Sequence, residues 1–239
     1  MAFRASITLA VSSAAIVGAP HLMAQRTAKP DATPFLIADR AAEIRLARSA
    51  APPSISDSAT ILVLERAGYV EAARGSNGFT CVVIRSLGGN LEDSSLWSPR
   101  ISAPHCFNRP AGRTIMPTLL KQTAWLLSGE RAPEVAARVK RSYANGELLP
   151  PASGSMAYML SPEQVLTASG VHGLPHLMFF YDKSRPASEW GADAAGSPLM
   201  HDAAADARAP FLTLFIPVRQ WSNGTRADAL GHLDSPPKL

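Results

Sequence analysis

A pair of cysteines constrains this chain more than any other feature, because a bond between them would hold two distant segments together. Cys81 and Cys106 are the only cysteines in 239 residues and are 25 positions apart. In an oxidising compartment such a pair favours a disulfide, which would stabilise the fold by about 3–3.5 kcal/mol on the chain-entropy model. The alternative is a catalytic thiol, Cys106 beside His105. Adjacent residues of a strand point to opposite faces, which disfavours that dyad.

The first 24 residues have the order of a secretory signal. Arg4 supplies the positive start, residues 7–19 form an uncharged run of apolar and small residues, and Pro20 ends it before a cleavage site at residues 22–24. We therefore expect export to the periplasm or the extracellular space. The alternative is an uncleaved membrane anchor. No second run is apolar enough to span a bilayer, so we expect no stable membrane span after cleavage.

Composition and charge exclude two broad classes of protein. Hydrophobic residues make up 46% of the chain and charged residues 18%, so the chain can bury a core and is not disordered. The net charge of +4 is too small and too dispersed to indicate a nucleic-acid partner. The oligomeric state stays open.

The predicted elements alternate irregularly, which favours an α+β fold. Runs of β-branched and aromatic residues predict five strands, at residues 60–65, 79–86, 155–160, 176–182 and 210–218. Caps and apolar spacing predict four helices, at residues 35–49, 117–129, 133–145 and 161–169. We expect a mainly antiparallel sheet of about five strands, with an αα-hairpin and further helices packed on it.

Composition and local patterns also predict how the chain is divided into segments. We expect a signal peptide at residues 1–24, a leader and N-terminal helix at 25–55, a single α+β domain at 56–225 and a flexible tail at 226–239. Within the domain, residues 88–108 and 184–208 are predicted to be long loops.

The common catalytic motifs are missing from this sequence. It contains no Gly-x-Ser-x-Gly, no phosphate-binding Gly-x-x-x-x-Gly-Lys, no His-Glu-x-x-His and no Cys-x-x-Cys. We therefore expect no cofactor and assign no metal site. His201 next to Asp202 is one candidate acid–base pair.

The candidate pocket combines aromatic strand residues with histidines. Tyr158 and Phe180 belong to apolar aromatic strands, where core packing is the alternative to a pocket. His105 and His176 could converge on the same site, with solvated or core histidines as the alternative. The predicted pocket residues are His105, Tyr158, His176 and Phe180.

Three segments of the chain carry a resemblance. Residues 76–81 (SNGFTC), 156–164 (MAYMLSPEQ) and 175–181 (PHLMFFY) resemble recurring segments of bacterial exported proteins with no assigned function. The resemblance implies an exported, single-domain protein. It implies no activity, cofactor or catalytic residue.

Two functions are compatible with these observations, besides a purely structural role that would need no pocket. The first is a non-catalytic module that binds a small molecule or a component of the cell envelope. The alternative is a small hydrolase or a metal-dependent enzyme that uses His105, His176 and Tyr158. The sequence identifies neither the ligand nor the substrate.

Overall fold

A computed structural model describes residues 31–85, 98–208 and 210–227. Its helices are α1 (Arg40–Arg48), α2 (Pro53–Ser56), α3 (Arg109–Thr114), α4 (Met116–Leu127), α5 (Ala132–Ala144) and α6 (Ala203–Arg208). Its strands are β1 (Thr60–Glu65), β2 (Gly68–Ala73), β3 (Thr80–Ile84), β4 (Ala103–Phe107), β5 (Met156–Met159), β6 (His176–Asp182), β7 (Met200–His201) and β8 (Phe211–Pro217). Short 3₁₀ turns lie at Thr33–Phe35 and Ala187–Trp190.

The eight strands form one sheet, in the order β2-β1-β3-β4-β5-β6-β8-β7. Six of its seven pairings are antiparallel, and only β1 and β3 run parallel. The predicted α+β class with a mainly antiparallel sheet is confirmed. The predicted count of about five strands is wrong, because β2, β4 and β7 lack a strong local strand pattern and form by pairing with their neighbours.

Strand β4 corrects the predicted loop at residues 88–108. Its sequence, APHCF, contains a proline, and proline has no N–H to donate to a ladder. The strand nevertheless lies between β3 and β5, and all five of its residues are buried. The local pattern of this segment favours a loop, but pairing with a strand on each side makes it a strand.

The predicted disulfide between Cys81 and Cys106 is confirmed. The two residues are directly opposite each other on the antiparallel strands β3 and β4, and both are fully buried. The bond therefore joins two neighbouring strands. The sequence alone had placed Cys81 on a strand and Cys106 in a loop, and the position of Cys106 is corrected here.

Helices cover both faces of the sheet. On one face the side chains of Val82, Phe107, Met178 and Phe180 form the largest core cluster, against residues of α3 and α4. On the opposite face the disulfide belongs to a second cluster that packs against α1. Alternation along each strand assigns neighbouring residues to opposite clusters.

Helices α4 and α5 pack against each other through Trp125, Leu126, Val135 and Val139. Their bounds lie within two residues of the predicted ones. The predicted αα-hairpin is matched only in part, since the additional helix α3 directly precedes α4.

The predicted helix at residues 161–169 does not form. Ser161 accepts a hydrogen bond from the backbone N–H of Glu163, as a cap would, but the chain continues as turns. The side chain of Gln164 is buried and donates to the carbonyls of Gly173 and Leu174. The side chain of Gln164 is therefore engaged in these hydrogen bonds and does not bond back to the backbone N–H of Ser161, as a capping box requires.

Two further predictions are corrected or shortened. The predicted loop at residues 184–208 contains the short strand β7 and helix α6. The predicted helix at 35–49 begins only at Arg40, where the side chain of Asp39 accepts the backbone N–H of Ala41.

The predicted signal peptide and most of the predicted tail lie outside the described residues. Within the described part of the chain, no helix has the length and apolar character needed to cross a membrane.

Candidate functional site

A small cavity lies between the sheet and helix α4. Its volume is about 40 Å³. Strands β4, β6 and β8 form its floor, α4 forms its wall, and α6 contributes one alanine. Its lining consists of His105, Ile115, Thr118, Leu119, Gln122, Met178, Phe180, Ala205, Phe211 and Thr213. We call this space the helix–sheet cavity.

Two buried polar atoms at the helix–sheet cavity have no hydrogen-bond partner within the described residues. They are Oε1 of Gln122 and Oγ1 of Thr213. Gln122 is 1% exposed and Thr213 is fully buried. A buried polar group without a partner costs about 1–3 kcal/mol, so two of them beside one cavity require an explanation.

Local sequence places the polar groups of α4 on the sheet side. Thr118 and Gln122 are four residues apart, so they lie on one face of the helix. The hydroxyls of Thr118 and Tyr143 are hydrogen-bonded at 2.7 Å. Burial raises the pKa of Tyr143 to about 12, so its hydroxyl stays protonated at neutral pH. The hydroxyl of Thr118 therefore has its partner on α5, whereas Oε1 of Gln122 has none in the described part of the chain.

The structure brings two of the four predicted pocket residues to this cavity. His105 is 1% exposed, stacks on Phe107 with the ring centroids 5.3 Å apart, and its Nδ1 lies 2.9 Å from the carbonyl oxygen of Ala103. A carbonyl oxygen only accepts, so Nδ1 is the donor. Phe180 lies on the same side of the sheet.

His176 and Tyr158 do not line the helix–sheet cavity. His176 packs edge-on against Phe215, and its Nδ1 donates to the carbonyl of Leu174 at 2.6 Å. Burial lowers the pKa of His176. Tyr158 packs with the disulfide cluster on the opposite face, where its ring centroid is 6.1 Å from that of Phe79.

The two buried histidines are separated by another side chain. Cys106 is opposite Tyr158, and Met159 is opposite His176, so the ladder places Met159 between His105 and His176. Two strand spacings amount to roughly 9–10 Å. No group of three or more potential metal-binding side chains occurs in residues 31–85, 98–208 and 210–227.

The predicted pairing of His201 with Asp202 differs from the observed one. His201 pairs instead with Asp206, whose Oδ2 lies 2.8 Å from His201 Nε2. Asp202 caps α6 by accepting the backbone N–H of Ala205. A single helical turn therefore brings Asp206, and not the adjacent residue, to the histidine.

A second, more open groove lies beside the N-terminal segment. It has a volume of about 540 Å³ and extends along residues 36–38 and 63–67. Its charged groups have partners within the protein. Arg40 pairs with Glu65, Glu43 accepts hydrogen bonds from Arg85 and from the backbone of Leu64, and Arg66 lies 4.0 Å from Asp31.

Neither Gln122 nor Thr213 was predicted from the sequence to line a site. One signal for Gln122 was present in the sequence. It is three residues after Leu119 and four before Leu126, which places it on the apolar side of the helix. Thr213 lies in a strand of apolar residues, where threonine is a common strand former. Only the tertiary structure shows that both side chains line the same cavity.

Comparisons with known proteins add no assignment to these residues. No family model matches the chain. No curated protein matches it. No solved structure matches it either.

Proposed function

We propose that the protein is an exported, non-catalytic module that binds a small molecule, or a small group of an envelope component, in the helix–sheet cavity. The unpartnered atoms Gln122 Oε1 and Thr213 Oγ1 carry this proposal. A ligand that supplies their missing hydrogen bonds recovers the free energy lost by burying them. Binding sites commonly combine apolar walls with a few polar groups of this kind.

Export and family form part of the same proposal. The disulfide between Cys81 and Cys106 is consistent with an oxidising compartment, where such bonds persist. The signal-like N-terminus and the resemblance to bacterial exported proteins support the same location. The intact mass of exported material should show that residues 1–24 and two hydrogens have been lost.

Helix α6 offers a matched pair of variants to locate the site. Ala205 is buried and lines the cavity, whereas Ala203 on the same helix is exposed. Ala205→Val should fill part of the cavity and weaken binding of the probes. Ala203→Val should bind them as the unchanged chain does.

The test is a titration of the ¹⁵N-labelled chain with xenon, ethanol and formamide, followed by amide chemical shifts. We expect at least one probe to shift the resonances of α4, β6 and β8, and Ala205→Val to abolish that shift. If none of the probes binds, or if Ala205→Val binds them unchanged, the helix–sheet cavity is not a binding site.

The enzymatic alternative stays a prediction. It requires His105, His176 and Tyr158 to act together, and Tyr158 packs on the opposite face of the sheet from the other two. Metal analysis of the purified protein, with His176→Ala as the control, tests it. Stoichiometric metal that is lost in the variant would favour the enzyme over the binding module.

A further inference from the structure

We propose that the helix–sheet cavity receives an uncharged group of about three non-hydrogen atoms that both donates and accepts hydrogen bonds, such as a primary carboxamide. This inference rests on the proposed binding function and specifies the ligand class. Three properties of the cavity lead to it: its charge, the hydrogen-bonding capacity of its two unpartnered atoms and its volume.

The described part of the lining contains no acidic or basic side chain other than His105, whose Nδ1 donates to the carbonyl oxygen of Ala103. Among the described residues that line the cavity there is no carboxylate, ammonium or guanidinium group. A buried ion without a counter-charge is strongly unfavourable, because the low-polarity surroundings do not replace its hydration. A carboxylate and an organic cation should therefore both be rejected.

The two unpartnered atoms define the polarity of the ligand. Oε1 of Gln122 is an amide oxygen and only accepts, so the ligand must bring an N–H or O–H group. The hydroxyl of Thr213 can donate, so it pairs with an acceptor on the ligand. Thr118 does not compete for the ligand, since its hydroxyl is bonded to Tyr143. A primary carboxamide supplies a donor and an acceptor, the N–H group and the oxygen, on two atoms bonded to the same carbon.

The volume limits the size of the group. One water-sized sphere requires about 10–15 Å³ of cavity volume. The volume of about 40 Å³ therefore accommodates about three non-hydrogen atoms. A carboxamide has three, and it can be the end of a larger molecule or a free small amide.

Three molecules of nearly the same shape test this proposal. Formamide, formate and formamidinium each have three non-hydrogen atoms, but they are neutral, anionic and cationic respectively. We expect amide chemical shifts of α4 and β8 to report binding of formamide, with a dissociation constant of about 1 mM at the tightest for a ligand of this size. Formate and formamidinium should bind at least tenfold more weakly.

Two variants test the individual contacts. Gln122→Met removes the acceptor while keeping an unbranched side chain, and Thr213→Val removes the hydroxyl at nearly constant shape. Each should weaken formamide binding about tenfold, the effect of losing one hydrogen bond. Gln220→Met is the control, because Gln220 is exposed and is not among the residues that line the cavity. It should bind formamide as the unchanged chain does.

The outcomes separate this inference from the function on which it rests. If xenon or ethanol binds and formamide does not, the cavity is a binding site and the ligand class is wrong. Formate or formamidinium binding as tightly as formamide also overturns the class. If Gln122→Met and Thr213→Val both leave formamide affinity unchanged, the polar contacts are wrong. Absence of binding by every probe contradicts the proposed function itself.

Discussion

The carboxylate of Asp206 lies 2.8 Å from Nε2 of His201 and so joins helix α6 to strand β7. Its second oxygen accepts the backbone N–H of Thr213 at 3.0 Å. Both side chains are largely buried, with exposed fractions of 23% for His201 and 15% for Asp206. One carboxylate therefore holds α6 against the strand whose threonine side chain lines the helix–sheet cavity.

Replacing Asp206 should destabilise this region. Asp206→Ala leaves the N–H groups of His201 and Thr213 without their acceptor, and we expect a loss of about 1–3 kcal/mol in the free energy of unfolding. Urea denaturation measures it. Asp57→Ala is the control, because Asp57 is exposed and forms a surface ion pair with Arg48 at 3.9 Å. This substitution should lower the free energy of unfolding by less than about 1 kcal/mol. Equal losses in the two variants would show that the Asp206 contacts contribute no more than a surface pair.

Removing the disulfide should cost more. The double variant Cys81→Ala/Cys106→Ala removes the covalent link between two residues that are 25 positions apart in the sequence. We expect urea denaturation to show a loss of about 3–3.5 kcal/mol in the free energy of unfolding. The oxidised chain treated with a reductant is the comparison and should approach the stability of the variant. Two free thiols in exported material would contradict the bond itself.

In the buried ion pair of Glu43 and Arg85, removing one charge should destabilise the fold strongly. Their side chains are 2% exposed, and Arg85 also donates to the carbonyl of Phe35 and to Ser102. Arg85→Met leaves the Glu43 carboxylate buried without its counter-charge, which should cost about 3–5 kcal/mol. The double variant Arg85→Met/Glu43→Gln should be more stable than Arg85→Met alone, because a neutral amide still accepts the Leu64 N–H. If the second substitution adds a further loss, charge is not the cause.

Stability should fall in mild acid because of His176. Burial lowers its pKa below the ordinary value of 6.5, and this outweighs the opposing effects of the Leu174 carbonyl and Asp202. The unfolded chain therefore binds a proton more readily than the folded one. The contribution of His176 is complete above about pH 6.5 and is lost as the pH falls toward the folded-state pKa.

The variant His176→Asn isolates this effect. Asparagine keeps an N–H that can donate to Leu174 and does not titrate. Between about pH 7.5 and about pH 5, the free energy of unfolding should fall less in His176→Asn than in the unchanged chain. Identical pH dependence in both proteins would show that His176 is not the group responsible.

Local patterns predicted those elements whose own residues favour one conformation. Strands β1 and β6 begin and end where the sequence predicted, because their runs are apolar and rich in β-branched or aromatic residues. Helices α4 and α5 also follow from prolines in the first turn and from apolar spacing. These signals lie within the segments themselves.

The strands that the sequence missed depend on their neighbours. The segment GYVEAA of β2 contains glycine, glutamate and alanine, and β4 contains proline. Each is a strand because an adjacent strand supplies its hydrogen-bond partners. The capping-box pattern at Ser161 failed for a related reason, since the buried side chain of Gln164 bonds to a distant loop.

The sequence by itself determined the α+β class, the cysteine pair and the position of His176 at the start of a strand. Only the tertiary structure decided that His105 and Phe180 share a cavity and that Tyr158 faces away from it. It also decided that, among the described residues, Oε1 of Gln122 and Oγ1 of Thr213 have no hydrogen-bond partner there. The physical reason is that alternation and spacing act over a few residues. The partner of a buried polar atom is instead set by which helix packs over which strand.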